Sequence, residues 1–260
     1  MELSARNLKI GYDGNVIVPS LNLDIKKGAI TAIIGPNGCG KSTILKTMAR
    51  LHPAMYGSVI LDGKDIKNTP TKEIARKMAI LPQSPEAPAG LSVTDLVSYG
   101  RTPYQGGFSR LNEHDREMVD WSIRVTGLSD FKDHAVDSLS GGQRQRAWIA
   151  MAIAQETGLL LLDEPTTYLD MAHQLEVLEL LKKLNHEDGR TIVMVIHDLN
   201  HASRFADELV AIKKGQLILQ GSSNEVMSAE VLKEVFQIDA SIVEDPRTGK
   251  PAIISYDLVK

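Results

Sequence analysis

The sequence predicts an α/β protein: a mostly parallel sheet wound with crossover helices, an antiparallel β layer beside it, and a helical subdomain inserted into the core. Three observations carry that reading. Short apolar runs alternate with longer amphipathic ones, as they do where strands buried on both faces are joined by helices. The first 25 residues instead alternate apolar and polar positions, the pattern of strands with one wet face. Between about Pro85 and Gln155 the strand-type runs stop, and segments such as Glu113 to Thr126 and Gly141 to Ala154 have helical composition and spacing.

Taken in order, Leu3 to Ile10 and Val16 to Ile25 read as antiparallel strands, as does Ser58 to Leu61 ahead of the turn Asp62-Gly63. The parallel strands are expected at Ile30 to Ile34, Met78 to Leu81, Leu159 to Leu162, Thr191 to Ile196 and Leu209 to Ile212. Gly35, Asp163 and His197 each sit just past one of them, at the edge where open α/β sheets bind ligands. The tail is expected to hold one helix, Asn224 to Phe236, and two strands around Asp245 to Gly249. This makes one domain over residues 1–236, with the helical subdomain at about 85–155, and a C-terminal extension, 237–260, packed on the core.

The 260 residues are 43% hydrophobic, enough for a real core. Lys and Arg number 29 against 33 Asp and Glu, a net charge of -4, so no basic excess points to nucleic acid. The start, MELSARNLKI, lacks the basic flank and apolar stretch of a leader, and no run approaches the roughly 18 apolar residues of a membrane helix. Cys39 is the single cysteine, which excludes an internal disulfide and suits a reducing compartment. The expectation is a cytoplasmic chain that works at a membrane only if other chains span it.

Gly35-Pro36-Asn37-Gly38-Cys39-Gly40-Lys41-Ser42-Thr43 follows an apolar strand and opens a helix, the context that the G-x-x-x-x-G-K-[ST] pattern requires. Its glycines let the backbone curl so that N–H groups face a phosphate, and the helix start adds its positive end. Lys41 is expected to bridge the β- and γ-phosphates of ATP and Ser42 to ligate Mg²⁺. Cys39, inside the loop, has two readings: a thiol activated by the helix start, or a small residue that fits. The apolar strand Leu159 to Leu162 ends in Asp163-Glu164-Pro165. After a phosphate loop, Asp163 is placed to hold Mg²⁺ and Glu164 to polarise the attacking water; a carboxylate held by the metal cannot also accept the proton.

Leu139-Ser140-Gly141-Gly142-Gln143-Arg144-Gln145-Arg146 places another anion-binding backbone at a helix start, about 100 residues after the first. It resembles the signature of ABC ATPases, and kinases and GTPases have no use for it. The similarity runs from Leu3 to about Gly221, with every motif in the family's order. The resemblance implies a P-loop NTPase (RecA-like) core that hydrolyses ATP with Mg²⁺. It implies further that Leu139 to Gln143 serve the γ-phosphate of a partner subunit's ATP. Gln83 matches the glutamine that touches Mg²⁺ and water and relays movement to the helical part. Asp170, in Thr167-Tyr168-Leu169-Asp170, matches the D-loop aspartate that faces the opposite subunit. His197 matches the histidine on the γ-phosphate, and Tyr12 the aromatic ring that stacks on adenine.

Softer stretches, Leu81 to Val93, Tyr99-Gly100-Arg101-Thr102-Pro103-Tyr104 and Glu164 to Gln174, look like the ATPases of iron-siderophore and vitamin B12 (type II) importers. That resemblance implies a homodimer or ABC heterodimer of ATPase subunits on the cytoplasmic face of the membrane. Its partners would be integral membrane permease subunits and, through them, a substrate-binding lipoprotein. Ferric siderophore is the expected cargo, with haem and cobalamin as alternatives and a soluble, non-transport ABC ATPase as the alternative of another class. Arg101 and Tyr104 are candidate permease contacts, or else part of a solvated helix and turn.

Overall fold

The computed structural model describes residues 1–106, 110–167 and 169–259. In chain order its strands are β1 (Leu3–Tyr12), β2 (Asn15–Ile25), β3 (Ile30–Ile34), β4 (Tyr56–Leu61), β5 (Lys64–Asp65), β6 (Met78–Leu81), β7 (Leu159–Asp163), β8 (Thr191–Val195), β9 (Glu208–Lys213), β10 (Gln216–Gly221), β11 (Ile238–Glu244) and β12 (Pro251–Leu258). The helices are α1 (Lys41–Met48), α2 (Thr71–Ala75), α3 (Val93–Ser98), α4 (Glu113–Val125), α5 (Gly141–Ala154), α6 (Met171–Asp188), α7 (Leu199–Phe205), α8 (Ser223–Val226) and α9 (Ala229–Phe236). Two compact units divide them, residues 1–69 with 191–260, and residues 70–190. No helix among the described residues is long and apolar enough to cross a membrane.

In the first unit the alternating N-terminal segments form an antiparallel sheet of order β2-β1-β4-β5. Leu3 pairs with Ile25 on one side and Leu61 on the other, so apolar positions share a face. The parallel strands follow a different rule. Every residue of β3 and β8 is buried, as continuous apolar runs require when both faces are covered. β3 lies between β8 and β9, parallel to both, and β10 returns antiparallel along β9. Side chains pin the entry to β3: Thr191 Oγ1 accepts from the Gly28 N–H at 2.9 Å, and Asp207 from that of Ile30 at 2.8 Å.

The single helix expected at Asn224 to Phe236 is two helices. Ser228 breaks the run by capping α9, its hydroxyl accepting from the Val231 N–H. After it, β11 and β12 pair antiparallel from Ile238↔Leu258 to Glu244↔Pro251. Asp245 closes their turn by donating its N–H to the Lys250 carbonyl.

In the second unit β6 and β7 run parallel, from Met78↔Leu159 to Leu81↔Leu162. Between them the described residues form no strand, and α3, α4 and α5 pack on one another. Capping boxes start two of these helices, Asn112 with Asp115 and Ser140 with Gln143. Arg101 does not offer a permease contact. Its side chain is 1% exposed, bonded to Asp115 at 2.8 Å, to Glu156 at 3.0 Å and to the Ala154 carbonyl at 2.8 Å. Tyr104 covers it, ring centroid 4.0 Å from the guanidinium, with its hydroxyl donating to the Gln155 carbonyl. A buried guanidinium needs this many acceptors, so Arg101 ties the helical segment to the entry of β7. Burial raises the Glu156 pKa, but hydrogen bonds from His114 and Arg101 outweigh it and leave the carboxyl below its usual range.

Candidate functional site

The loop from Gly35 to Thr43 joins β3 to α1 in the first unit. Gly35 is there because the chain passes so close to β9 that a Cβ would collide with the Ile212 carbonyl. Gly40 is the N-cap of α1 at φ 105°, a backbone closed to most L side chains, and no side chain caps this helix. The lysine is folded back: Lys41 Nζ donates to the Gly35 carbonyl at 2.7 Å and the Pro36 carbonyl at 3.0 Å, which braces the loop in its curled shape. Asn37 and Gly38 are exposed at its crest, and Ser42 and Thr43 are half-buried in the first turn. Of the two readings of Cys39, its burial, at 5% exposed, favours the small residue that fits. Burial pushes the thiol pKa up, and the Lys41 charge and backbone N–H do not offset it.

Tyr12, at the end of β1, is exposed, and its ring lies against that of His52, tilted by 37° with centroids 4.2 Å apart. His52 is itself held by a 3.0 Å hydrogen bond to the Gly11 carbonyl. His197 lies in the three-residue link between β8 and α7 and is exposed. Asp198, after it, caps α7 by accepting from the His201 N–H at 2.7 Å.

The second unit carries the carboxylates. Asp163 is the last residue of β7 and is buried. Glu164 follows at φ 54°, a left-handed backbone that a non-glycine residue adopts at a cost of about 1–3 kcal/mol. Its Oε2 accepts from Gln83 Nε2 at 2.7 Å and from Thr167 Oγ1 at 2.9 Å. The structure thus joins Gln83 to Glu164 directly. It adds Thr167, which the sequence reading did not single out; a hydroxyl three residues after a carboxylate was the available signal. Asp170 caps α6, accepting from the His173 N–H at 3.0 Å and pairing with His173 Nδ1 at 2.7 Å. The backbone N–H of His173, then its ring, hold the Asp170 carboxyl below its usual range. Tyr168 lies outside the described residues.

The signature segment also sits in this unit. Leu139 is buried, Ser140 and Gly141 are exposed, and Gly142 packs so close to the His173 ring that a Cβ would lie 2.8 Å from it. The Ser140 hydroxyl accepts from the Gln143 N–H at 3.3 Å, and the Gln143 amide oxygen accepts from the Ser140 N–H at 3.0 Å.

A strand that ends in a glycine loop with a buried lysine, and another that ends in paired carboxylates, describe a nucleotide-hydrolysing cassette. Residues 18–167 match the ABC transporter family, and the chain belongs to it as an ABC-type ATPase that binds and hydrolyses ATP.

Among characterised relatives it is 60% identical to the iron(3+)-hydroxamate import ATP-binding protein FhuC of Bacillus subtilis, over 99% of this chain and 96% of that one. It is 44% identical to the ferric enterobactin transport ATP-binding protein FepC of Escherichia coli, over 97% and 93%. A solved structure of an inward-facing metal-chelate type ABC transporter superposes with a TM-score of 0.84 at 30% identity, covering 97% of this chain and 96% of that one. A dimeric ATP-binding cassette in a post-hydrolysis state, with ADP and Pi bound, gives 0.73 at 29% identity, over 85% and 98%.

Proposed function

We propose that this chain is the ATPase subunit that energises uptake of ferric siderophores across the cytoplasmic membrane. Its 60% identity, over nearly full length, to a ferric hydroxamate import ATPase carries the reading. The subunit works peripherally on the cytoplasmic face, as a homodimer or paired with a second ABC ATPase, against integral permease subunits that receive cargo from a substrate-binding lipoprotein. The catalytic domain spans residues 1–236, with a helical subdomain at about 85–155, and residues 237–260 are its extension.

In this reading Gly35 to Thr43 cradle the phosphates, Lys41 leaves its loop carbonyls for the β- and γ-phosphates, and Tyr12 stacks on adenine. Glu164 accepts the proton of the attacking water, and His197 steadies the γ-phosphate. Leu139 to Gln143 complete the γ-phosphate site of the other subunit, and Asp170 faces that subunit. Ser42, Gln83 and Asp163 are the proposed Mg²⁺ ligands; the ion, when bound, neutralises charge on the β- and γ-phosphates. Hydroxyl, amide carbonyl and carboxylate are the hard oxygen donors this cation takes. Gln83 supports that role, because donating its amide N–H to Glu164 leaves its amide oxygen for another partner.

Two experiments test this. In proteoliposomes holding the chain, its permease and the lipoprotein, ATP-driven uptake of a ferric hydroxamate is expected to exceed that of haem or cobalamin. Faster uptake of either alternative would reassign the cargo. Glu164→Gln is expected to keep ATP binding and lose turnover by a factor of about 100 or more; unchanged hydrolysis would remove Glu164 from the chemistry.

A further inference from the structure

The C-terminal hairpin grips both ends of the short helix that follows His197. At its start, Asn200 makes a reciprocal pair with Ile253 of β12, its Oδ1 accepting from the Ile253 N–H at 2.8 Å and its Nδ2 donating to the Ile253 carbonyl at 3.0 Å. Halfway along, the buried Ser203 hydroxyl donates to the Pro251 carbonyl at 2.6 Å. At its end, Lys250 Nζ donates to the carbonyls of Ala206 at 2.6 Å and Arg204 at 3.3 Å, where a cation meets the negative end of a helix. Three hydrogen-bonded points along one seven-residue helix fix its position and its rotation.

That helix sets His197. On its other side the link is just as firmly held: Val195 pairs with Ile33, and the Ile196 N–H donates to the Ile33 carbonyl. His197 thus hangs between a strand locked into the sheet and a helix locked to the hairpin. The hairpin also approaches the link itself. Ile253, Ile254 and Tyr256 line a cavity of about 400 Å³ together with His197, Asp198 and Asn200.

We propose that the hairpin of β11 and β12 is a brace that positions His197 for the γ-phosphate, with Asn200 and Lys250 as its positioning residues. The inference rests on the γ-phosphate role given to His197 above. A side chain between two fixed supports loses little freedom when the nucleotide arrives, whereas loosening one support lets it drift from the reacting geometry.

ATP turnover by the full-length chain provides the test. Asn200→Ala and Lys250→Met are each expected to lower kcat about tenfold while leaving KM for ATP unchanged. Repeated in a His197→Ala background, the same substitutions should cause no further loss, because residues acting through one group are not additive. Equal losses in both backgrounds, or none in the unaltered chain, overturn the brace. Full turnover by His197→Ala alone would instead overturn the γ-phosphate role, and the brace with it. Histidine-selective NMR supplies an independent readout: the His197 ring resonances are expected to shift in Asn200→Ala, and unmoved resonances would also overturn the proposal.

Discussion

The starts of α1 and α5 look alike in sequence, each a small-residue turn opening a helix, yet they stand in opposite states. At α1 the N-cap is Gly40, no side chain closes the helix, and the nearby cation, Lys41, is parked on carbonyls of the same loop. At α5 the end is closed by a complete capping box, with Ser140 and Gln143 satisfying each other's backbone N–H. The first is shaped for an anion in advance. The second is a stable helix cap, although the Ser140 hydroxyl and the Gln143 side-chain NH2 keep donors that the box does not use. A helix terminus offers the same dipole in both places; the side chain at the N-cap decides whether it is already occupied.

The strongest test of that contrast is Lys41→Met. It removes the charge-assisted contacts proposed for ATP, each worth about 1.5–3 kcal/mol, so ATP binding should weaken about 10- to 100-fold in a fluorescent-nucleotide titration. Unchanged affinity would mean that Lys41 serves only to brace its own loop. A smaller effect separates the two roles of Ser140. Ser140→Ala should cost about 1 kcal/mol of stability and Ser140→Gly only a few tenths, because glycine is tolerated at an N-cap. Both should lower turnover about tenfold if the hydroxyl also meets the partner's nucleotide. Near-normal turnover by Ser140→Gly would leave the segment a cap and nothing more.

The smallest effect concerns Cys39. Because burial raises its pKa, less thiolate is present at a given pH than for an exposed cysteine. Iodoacetamide should therefore label it slowly at neutral pH, with the labelling rate rising only at a more alkaline pH than for a free thiol. Fast labelling near pH 7 would restore the activated-thiol reading.

Legibility followed the range of the cause. β3, β7 and β8 could be read because strands buried on both faces must be continuously apolar. The loop after β3 was equally readable because its motif is closed between Gly35 and Thr43, although what forces Gly35, the Ile212 carbonyl, lies far along the chain. Arg101 was misread because its acceptors, Asp115 and Glu156, lie 14 and 55 residues away, and nothing local shows that they converge. The gap between α8 and α9 was missed for a nearer reason: Ser228 can sit inside a helix or cap one, and periodicity does not choose. Thr167 beside Glu164 and His52 behind Tyr12 escaped notice because a hydroxyl or a ring becomes a partner only once the backbone turns it toward one.

By itself the sequence determined the α/β class, the phosphate loop and membership of the ABC transporter family, since these rest on apolar periodicity and motifs closed within a helical turn or two. Tertiary structure alone decided that Cys39 is shielded, that Arg101 is buried, and that the C-terminal hairpin clamps the helix behind His197. Burial, desolvation and long-range hydrogen-bond pairing of this kind belong to groups that meet only when distant segments of the chain are packed together, and no local pattern encodes them.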